Sequence, residues 1–200
     1  MMRILGFMFI LLMFICNQAF ATSMINRDTI KEAQQYGEQH APIEWEAFLQ
    51  PWIAYEEKTP RIDAFSEKAY LYTKFLLLAT DAREKTLKGI APRLEDSEEI
   101  LANYSGFLTF SVTLYGTQAN FGEKAVVTLK QGDKVLNAYQ TVIPARAEKL
   151  AKTVENPAFR LQCYVYFLEK QITYDQPIIL SIVTNDKKEH NFYFDFSQLK

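Results

Sequence analysis

Two cysteines, two histidines, two tryptophans and seven glycines in 200 residues leave little of the material on which most recognisable chemistry is built. Cys16 lies in the N-terminal apolar run, so Cys163 is the one thiol expected after leader removal, and it has no partner for an intramolecular disulfide. An exported chain that is stable without disulfides fits a bacterial envelope or secreted protein better than a small stapled module. No two glycines stand in a Gly-x-Gly pattern, which removes the backbone cradle that phosphate-binding loops need. A nucleophilic site needs an activated Ser or Cys, a His base and a group to orient it; neither histidine has such a setting, and Gly-x-Ser-x-Gly does not occur.

Charge of one sign is also scarce. The formal net charge is −2, with no basic stripe for nucleic acid and no polybasic patch for an anionic membrane. The acidic group Glu95, Asp96, Glu98 and Glu99 lacks the spacing of a calcium loop and reads as a solvated helix start. His40 and Glu44 are four apart, the spacing of paired metal ligands on one helix. Pro42 places His40 ahead of the helix that carries Glu44, and a zinc site needs three or four ligands, so His40 is expected at the surface. His190, beside Lys187, Lys188 and Glu189 at a hairpin end, is expected in solvent. No metal or other cofactor is expected.

The only long apolar run is at the start. Met1-Met2-Arg3, the run from Ile4 to Cys16 and the small-x-small sequence Ala19-Phe20-Ala21 have the form of a cleaved export signal. Cleavage is expected after Ala21, leaving a soluble mature protein. The bulky Met13-Phe14-Ile15 before Cys16 argues against a lipid anchor there.

The mature chain divides by the period of its apolar residues. Residues 22–104 read as a helical region. Asn26 or Asp28 caps a surface helix through about His40, with Ile30, Ala33, Tyr36 and Gly37 on one stripe. Pro42 suits the first turn of a second helix bearing Trp45, Phe48, Leu49 and Trp52, which Pro51 ends or kinks. Thr59-Pro60 opens a long amphipathic helix with Ile62, Phe65, Ala69, Tyr72, Leu76 and Ala79 on one face and Gly89 as its stop; Thr73 offers a second cap if the run breaks at Tyr72. A loop with a short helix occupies 91–104.

Residues 105–200 read as an antiparallel β-sandwich. Leu108, Phe110, Val112 and Leu114 alternate with Thr109, Ser111 and Thr113 in a half-buried strand. Segments 125–130 and 135–142 flank a type II′ turn with Gly132 at its first loop position, which pairs Gln131 with Lys134, Leu129 with Leu136 and Val127 with Ala138. Pro144 to Lys152 suggests a helical turn or two. The run from Phe159 to Lys170 has an apolar face of Phe159, Leu161, Cys163, Val165 and Phe167, and an opposite face with Tyr164 and Tyr166 that something must cover or bind. A strand of this kind belongs inside a sheet. Residues 178–183 and 192–196 form a last hairpin whose loop, centred on Lys187, must be three or five residues long if Ile178, Leu180 and Ile182 face Phe196, Phe194 and Phe192.

The expected fold is therefore α+β, an N-terminal helical segment packed on a C-terminal sandwich of immunoglobulin-like proportions with about six strands. The Cys pair and sandwich Trp of true immunoglobulin domains are missing. For function, the sequence points to a non-enzymatic exported protein that binds a protein, peptide or glycan partner. Tyr36, Trp45, Trp52 and Tyr55 are the candidate ligand platform, although the helical spacing of Trp45 and Trp52 already explains them, and favours reading them as the face that docks the helices on the sheet. The alternatives are a glycosidase-like hydrolase with dispersed carboxylates, for which no pair is singled out, and a structural subunit of an exported assembly.

Overall fold

The computed structural model describes residues 26–151 and 158–199. The expected export signal, residues 1–21, and Lys152 lie outside them. Three layers stack in order: helices, a six-stranded sheet and a four-stranded sheet, with antiparallel strand pairing throughout.

The helices are α1 (Arg27–Gln39), α2 (Trp45–Leu49), α3 (Lys74–Leu87) and α4 (Leu94–Asn103). The side chain of Asn26 accepts from the Thr29 N–H at 2.8 Å and starts α1. The stripe Ile30, Ala33 and Gly37 is buried, and more than a surface helix results. A Cβ on Gly37 would lie 2.2 Å from the Ala79 carbonyl oxygen and 2.8 Å from the Ala82 Cβ, so α1 and α3 meet backbone to backbone where only hydrogen fits. The second helix begins at Trp45 rather than at Pro42, which lies in the preceding turn. Pro51 ends it as expected, turning the chain into a single 3-10 turn over Gln50–Trp52.

The strands are β1 (Ile53–Tyr55), β2 (Lys68–Tyr72), β3 (Phe107–Gly116), β4 (Val126–Gln131), β5 (Lys134–Asn137), β6 (Gln140–Val142), β7 (Glu148–Lys149), β8 (Phe159–Leu168), β9 (Ile178–Val183) and β10 (Glu189–Phe194). The large sheet runs β1-β2-β3-β8-β6, with β7 also on β8; the small one runs β10-β9-β4-β5. The α+β sandwich is as expected, with ten strands where six were counted. The long helix expected from Thr59 is the largest difference. Ile62 and Phe65 are exposed on a loop, Ala69 is buried on β2, and helix starts only after Thr73, whose hydroxyl accepts from the Leu76 N–H at 3.1 Å. The reason is that Ala69, Tyr70 and Leu71 are all buried: Ala69 and Leu71 face the small sheet, Tyr70 faces the helices, and a strand covered on both faces loses its period of two. For the same reason β3 is buried on both faces, Thr109, Ser111 and Thr113 included.

The β4–β5 register is as expected, Gln131 opposite Lys134 and Leu129 opposite Leu136, and Gly132 has the positive φ (+57°) of its turn. Segment 135–142 does not stay in one sheet. The Ala138 N–H bonds the Val127 carbonyl of the small sheet and the next amide, of Tyr139, bonds the Tyr166 carbonyl of the large one, so two adjacent peptides carry the chain across. The helical turns expected from Pro144 are extended chain instead, and Glu148 and Lys149 pair with Arg160 and Phe159. A free length of β8 beyond β6 supplies backbone partners that a lone helical turn would lack.

The last hairpin has the expected odd loop, residues 184–188, centred on Asp186 and not on Lys187. Ile178 faces Phe194, Leu180 faces Phe192, and Ile182 faces His190. A shift of two residues keeps every side chain on its face, so the pattern of Phe192, Phe194 and Phe196 fits both registers. The choice that is made buries His190 and leaves Phe196 beyond the strand.

Between the sheets lies the main core: Phe110, Val112, Leu114, Leu161, Val165, Phe167, Leu129, Leu180, Ile182, Phe192 and Phe194, with Cys163 among them. A second core of Ile30, Ala33, Phe48, Leu49, Trp52, Tyr70, Phe75, Leu76, Leu78 and Ala79 glues the helices to the outer face of the large sheet. Among the described residues no helix is long and apolar enough to cross a membrane.

Candidate functional site

Outward-facing residues of the large sheet fall in rows set by the register. Tyr72, Thr109, Tyr166 and Gln140 form one, Tyr70, Ser111, Tyr164 and Val142 the next, Lys68, Thr113 and Gln162 a third. Small hydroxyl residues of β3 thus lie between tyrosines of β2 and tyrosines of β8. The helices cover the Tyr70 side. The β8–β6 side is open: Tyr164 is 41 % exposed, and Tyr139 and Val142 are exposed beside it. Tyr104, at the C-terminal end of α4, is exposed and close enough to interact with Tyr72 and Tyr166. Phe107 continues the aromatic surface, 5.3 Å from the Tyr139 ring and 6.5 Å from that of Tyr166.

The floor of this trough is hydrogen-bonded within itself. Thr113 donates to Gln162 Oε1 at 2.7 Å, and Gln162 Nε2 donates to the Ser111 hydroxyl at 2.5 Å. Each bond uses half of what that end of the amide offers, leaving one N–H and one lone pair of a solvent-exposed Gln162 for another molecule. The Tyr72 and Tyr166 phenols remain neutral. Burial first, and then its neighbours Tyr164, Tyr70 and Tyr104, push the Tyr72 hydroxyl up to about 12, and burial likewise raises Tyr166.

The four aromatic residues singled out in the sequence divide. Tyr36 lies 5.6 Å from Trp52, edge to face, and 5.6 Å from Phe48; Trp45 stacks on Phe48 at 5.6 Å. The structure therefore brings Tyr36, Trp45 and Trp52 together. Trp52 is fully buried, and Trp45 is 38 % exposed with the Arg83 guanidinium 5.3 Å from its ring centre. Tyr55 is elsewhere, on the outer face of β1 opposite Lys68. His40 is partly exposed, stacked on Tyr36 at 4.0 Å, with Nδ1 2.7 Å from the Tyr36 carbonyl. Glu95 and Asp96 lie in the first turn of α4 as expected, where Arg93 and then Lys85 hold the Asp96 carboxyl well below the usual range. Among the described residues no group of three His, Cys, Asp or Glu is placed to hold a metal ion.

His190 is not in solvent. It is fully buried, with Nδ1 2.6 Å from Glu67 Oε2 and Nε2 3.2 Å from the Thr184 hydroxyl. Thr184 gives its hydrogen to Asp186 at 2.6 Å, so at Thr184 the imidazole Nε2 is the donor. Glu67 also accepts from Lys188 Nζ and from the Tyr115 N–H, both at 3.1 Å. A carboxylate, an imidazole and a hydroxyl in line look like a catalytic relay, but Thr184 is 2 % exposed and its proton is engaged, so no substrate atom reaches it. The group ties the start of β2 and the end of β3 to the β9–β10 hairpin. Sequence reading missed it because Glu67 and His190 are 123 positions apart. The tyrosine trough was half visible, through Tyr164 and Tyr166 on one strand; Tyr72 and Tyr104, assigned to helix and loop, were not connected to it.

No family model matches the chain, and no curated protein does. Among solved structures, the archaellum periplasmic stator protein complex FlaF and FlaG from Sulfolobus acidocaldarius is similar to 45 % of this chain over 78 % of that one, at 12 % identity and a TM-score of 0.31. The archaellum periplasmic stator protein FlaG from the same organism is similar to 45 % of this chain over 87 % of that one, at 12 % identity and a TM-score of 0.29. Likenesses of this size bear on neither the function nor the partners of this chain.

Proposed function

We propose that this is an exported, non-enzymatic binding protein that receives its partner on the tyrosine-lined outer face of the large sheet. The single observation that carries this reading is the trough itself: half of a sheet face lies outside the cover of the helices and bears exposed Tyr104, Tyr139, Val142 and Tyr164 around a pre-bonded Gln162. Exposed aromatics clustered around a few fixed polar groups are the usual composition of a recognition surface. The basic, apolar and small-x-small pattern of residues 1–21 supports export.

Export is tested by expressing the full chain and sequencing the product, with Thr22 as the expected N-terminus in the exported fraction. Binding is tested by comparing what the purified mature protein and its Tyr164→Ala and Tyr166→Ala variants retain from envelope extract. Tyr193→Ala, exposed on β10 of the small sheet, serves as the control. Retention lost in the tyrosine variants and kept in the control is expected; retention indifferent to the tyrosines defeats the assignment. Turnover of a glycan or peptide abolished by a single Asp or Glu substitution would replace the binding reading with a hydrolytic one.

A further inference from the structure

We infer that β6 is the contact of a two-fold dimer, in which it pairs antiparallel with β6 of a second copy of this chain. An edge strand presents main-chain N–H and C=O groups that another strand meets in register, and folded proteins blunt such edges with charge, proline or a covering element. The edges of this sandwich are not treated alike. On one side β1 and β10 are joined to each other: Glu56 bridges to Phe192, and the Glu57 N–H donates to the Asn191 carbonyl at 3.0 Å. On the other side β5 starts with Lys134, and β7 consists of Glu148 and Lys149. β6 has neither a charge nor a cover. It ends the large sheet beyond β8, no strand among the described residues pairs with its outer side, and Gln140, Thr141 and Val142 are all exposed. No charged residue occurs between Lys134 and Arg146. Pro144 limits the length of this edge without closing it.

The chemistry of the edge selects its occupant. It calls for an uncharged strand rich in β-branched and aromatic residues, and Tyr139-Gln140-Thr141-Val142 is itself such a strand. A two-fold axis through the pair of Thr141 residues sets Gln140 of each copy opposite Val142 of the other, the self-complementary arrangement that a closed dimer needs, and no like charges meet across it. Gln140 and Val142 lie opposite Tyr166 and Tyr164 and on the same face of the sheet, so the join also brings the exposed tyrosine sides of the two large sheets next to each other. It covers Tyr139 and Val142, which are 60 % and 47 % exposed in the single chain. A contact of this length is small beside the roughly 1,000 Å² or more that a stable interface buries, so the dimer is transient and forms as concentration rises.

The test is sedimentation equilibrium of the mature protein. Its mass should rise from one chain toward two between roughly 10 μM and 1 mM, the range of a small transient contact. Thr141→Lys and Thr141→Glu each put like charges opposite each other at the two-fold, and each should raise the dissociation constant at least about tenfold while leaving the urea midpoint in place. Mixed in equal amounts, the two variants should associate again, because a lysine then faces a glutamate. Val126→Lys, exposed on β4 of the small sheet, should change nothing. Hydrogen exchange supplies a readout that needs no substitution: at least one amide among residues 140–142 should exchange more slowly as the wild type is concentrated. A protein that stays monomeric up to about 1 mM overturns the inference, and so does association that ignores both Thr141 variants, a mixture that does not recover it, or a dimer in which exchange at 140–142 is unchanged. Protection of 140–142 that appears in a monomer only when envelope extract is added gives the edge to another protein and overturns the second copy.

Discussion

Glu67 and His190 meet at 2.6 Å although 123 residues separate them, one at the entry to β2 in the large sheet and the other on β10 in the small one. With Lys188 and the Tyr115 N–H on the other carboxylate oxygen, this contact fastens the two sheets at one end of the sandwich. A buried pair of this kind adds little over an apolar replacement, but removing one partner strands the other. His190→Ala should cost about 3 kcal/mol, the low end for breaking a buried pair, because Lys188 still faces Glu67. Urea unfolding of wild type and variant measures it; a change within about 0.5 kcal/mol would show the contact to be expendable.

The same pair gives the protein an acid limit. Burial pushes the Glu67 carboxyl up, but the His190 hydrogen bond and charge, Lys188 and the Tyr115 N–H outweigh it, and the net shift is below the ordinary 4.5. A depressed carboxyl contributes stability that is complete above its unfolded value and is lost as pH falls through its folded value. Urea midpoints should therefore fall as pH drops below 4.5, and Glu67→Gln should fall less steeply over that window than wild type. Parallel slopes for the two proteins would assign the acid loss elsewhere.

Cys163 points into the main core opposite Val112, and burial pushes its thiol up to about 12. The reactive thiolate is then absent at neutral pH. A thiol-specific chromophore should react with the mature protein only as fast as the protein unfolds, and at once in urea. Rapid labelling of the native protein would mean that this face of β8 is open.

Trp52 is fully enclosed by the helical layer, 6.1 Å from the Phe75 ring and 5.6 Å from that of Tyr36. Trp52→Ala should cost about 3 to 5 kcal/mol in lost burial and cavity. Trp45→Ala, at a partly exposed ring, should cost less. Equal losses at the two positions would mean that the helical layer does not discriminate between them.

Gly37→Ala should destabilise by at least about 1 to 3 kcal/mol, as overpacking does, since the new methyl would strike the Ala79 carbonyl on α3. The midpoint of thermal unfolding reports it. A neutral or stabilising result, the usual gain of Ala over Gly inside a helix, would place α1 farther from α3.

Local chemistry alone decided much of this protein. Asn26 and Thr73 cap helices because a short side-chain acceptor reaches an unpaired N–H from its own chain; Gly132 sets the β4–β5 register because a two-residue turn leaves no slack; β8 reads as an interior strand because ten residues alternate without interruption. Each signal lies within a few residues of what it specifies. Tertiary structure decided the rest wherever the determining partner is distant. Ile62, Phe65, Ala69 and Tyr72 imitate a helix stripe, and only β3 beside β2, with the helices on one of its faces and the small sheet on the other, makes Ala69 to Tyr72 a strand. The alternation of residues 190–196 permits two hairpin registers, and Glu67, arriving from the far end of the chain, supplies the partner that lets His190 be buried in one of them. The trough has the same origin: Tyr164 and Tyr166 show in the sequence as the polar side of a strand, and the proposed surface forms only when Tyr72 and Tyr104 are folded beside them. A side chain's own residue type sets what it can bond, and packing between elements remote in sequence sets whether that capacity is spent inside the fold or left facing solvent.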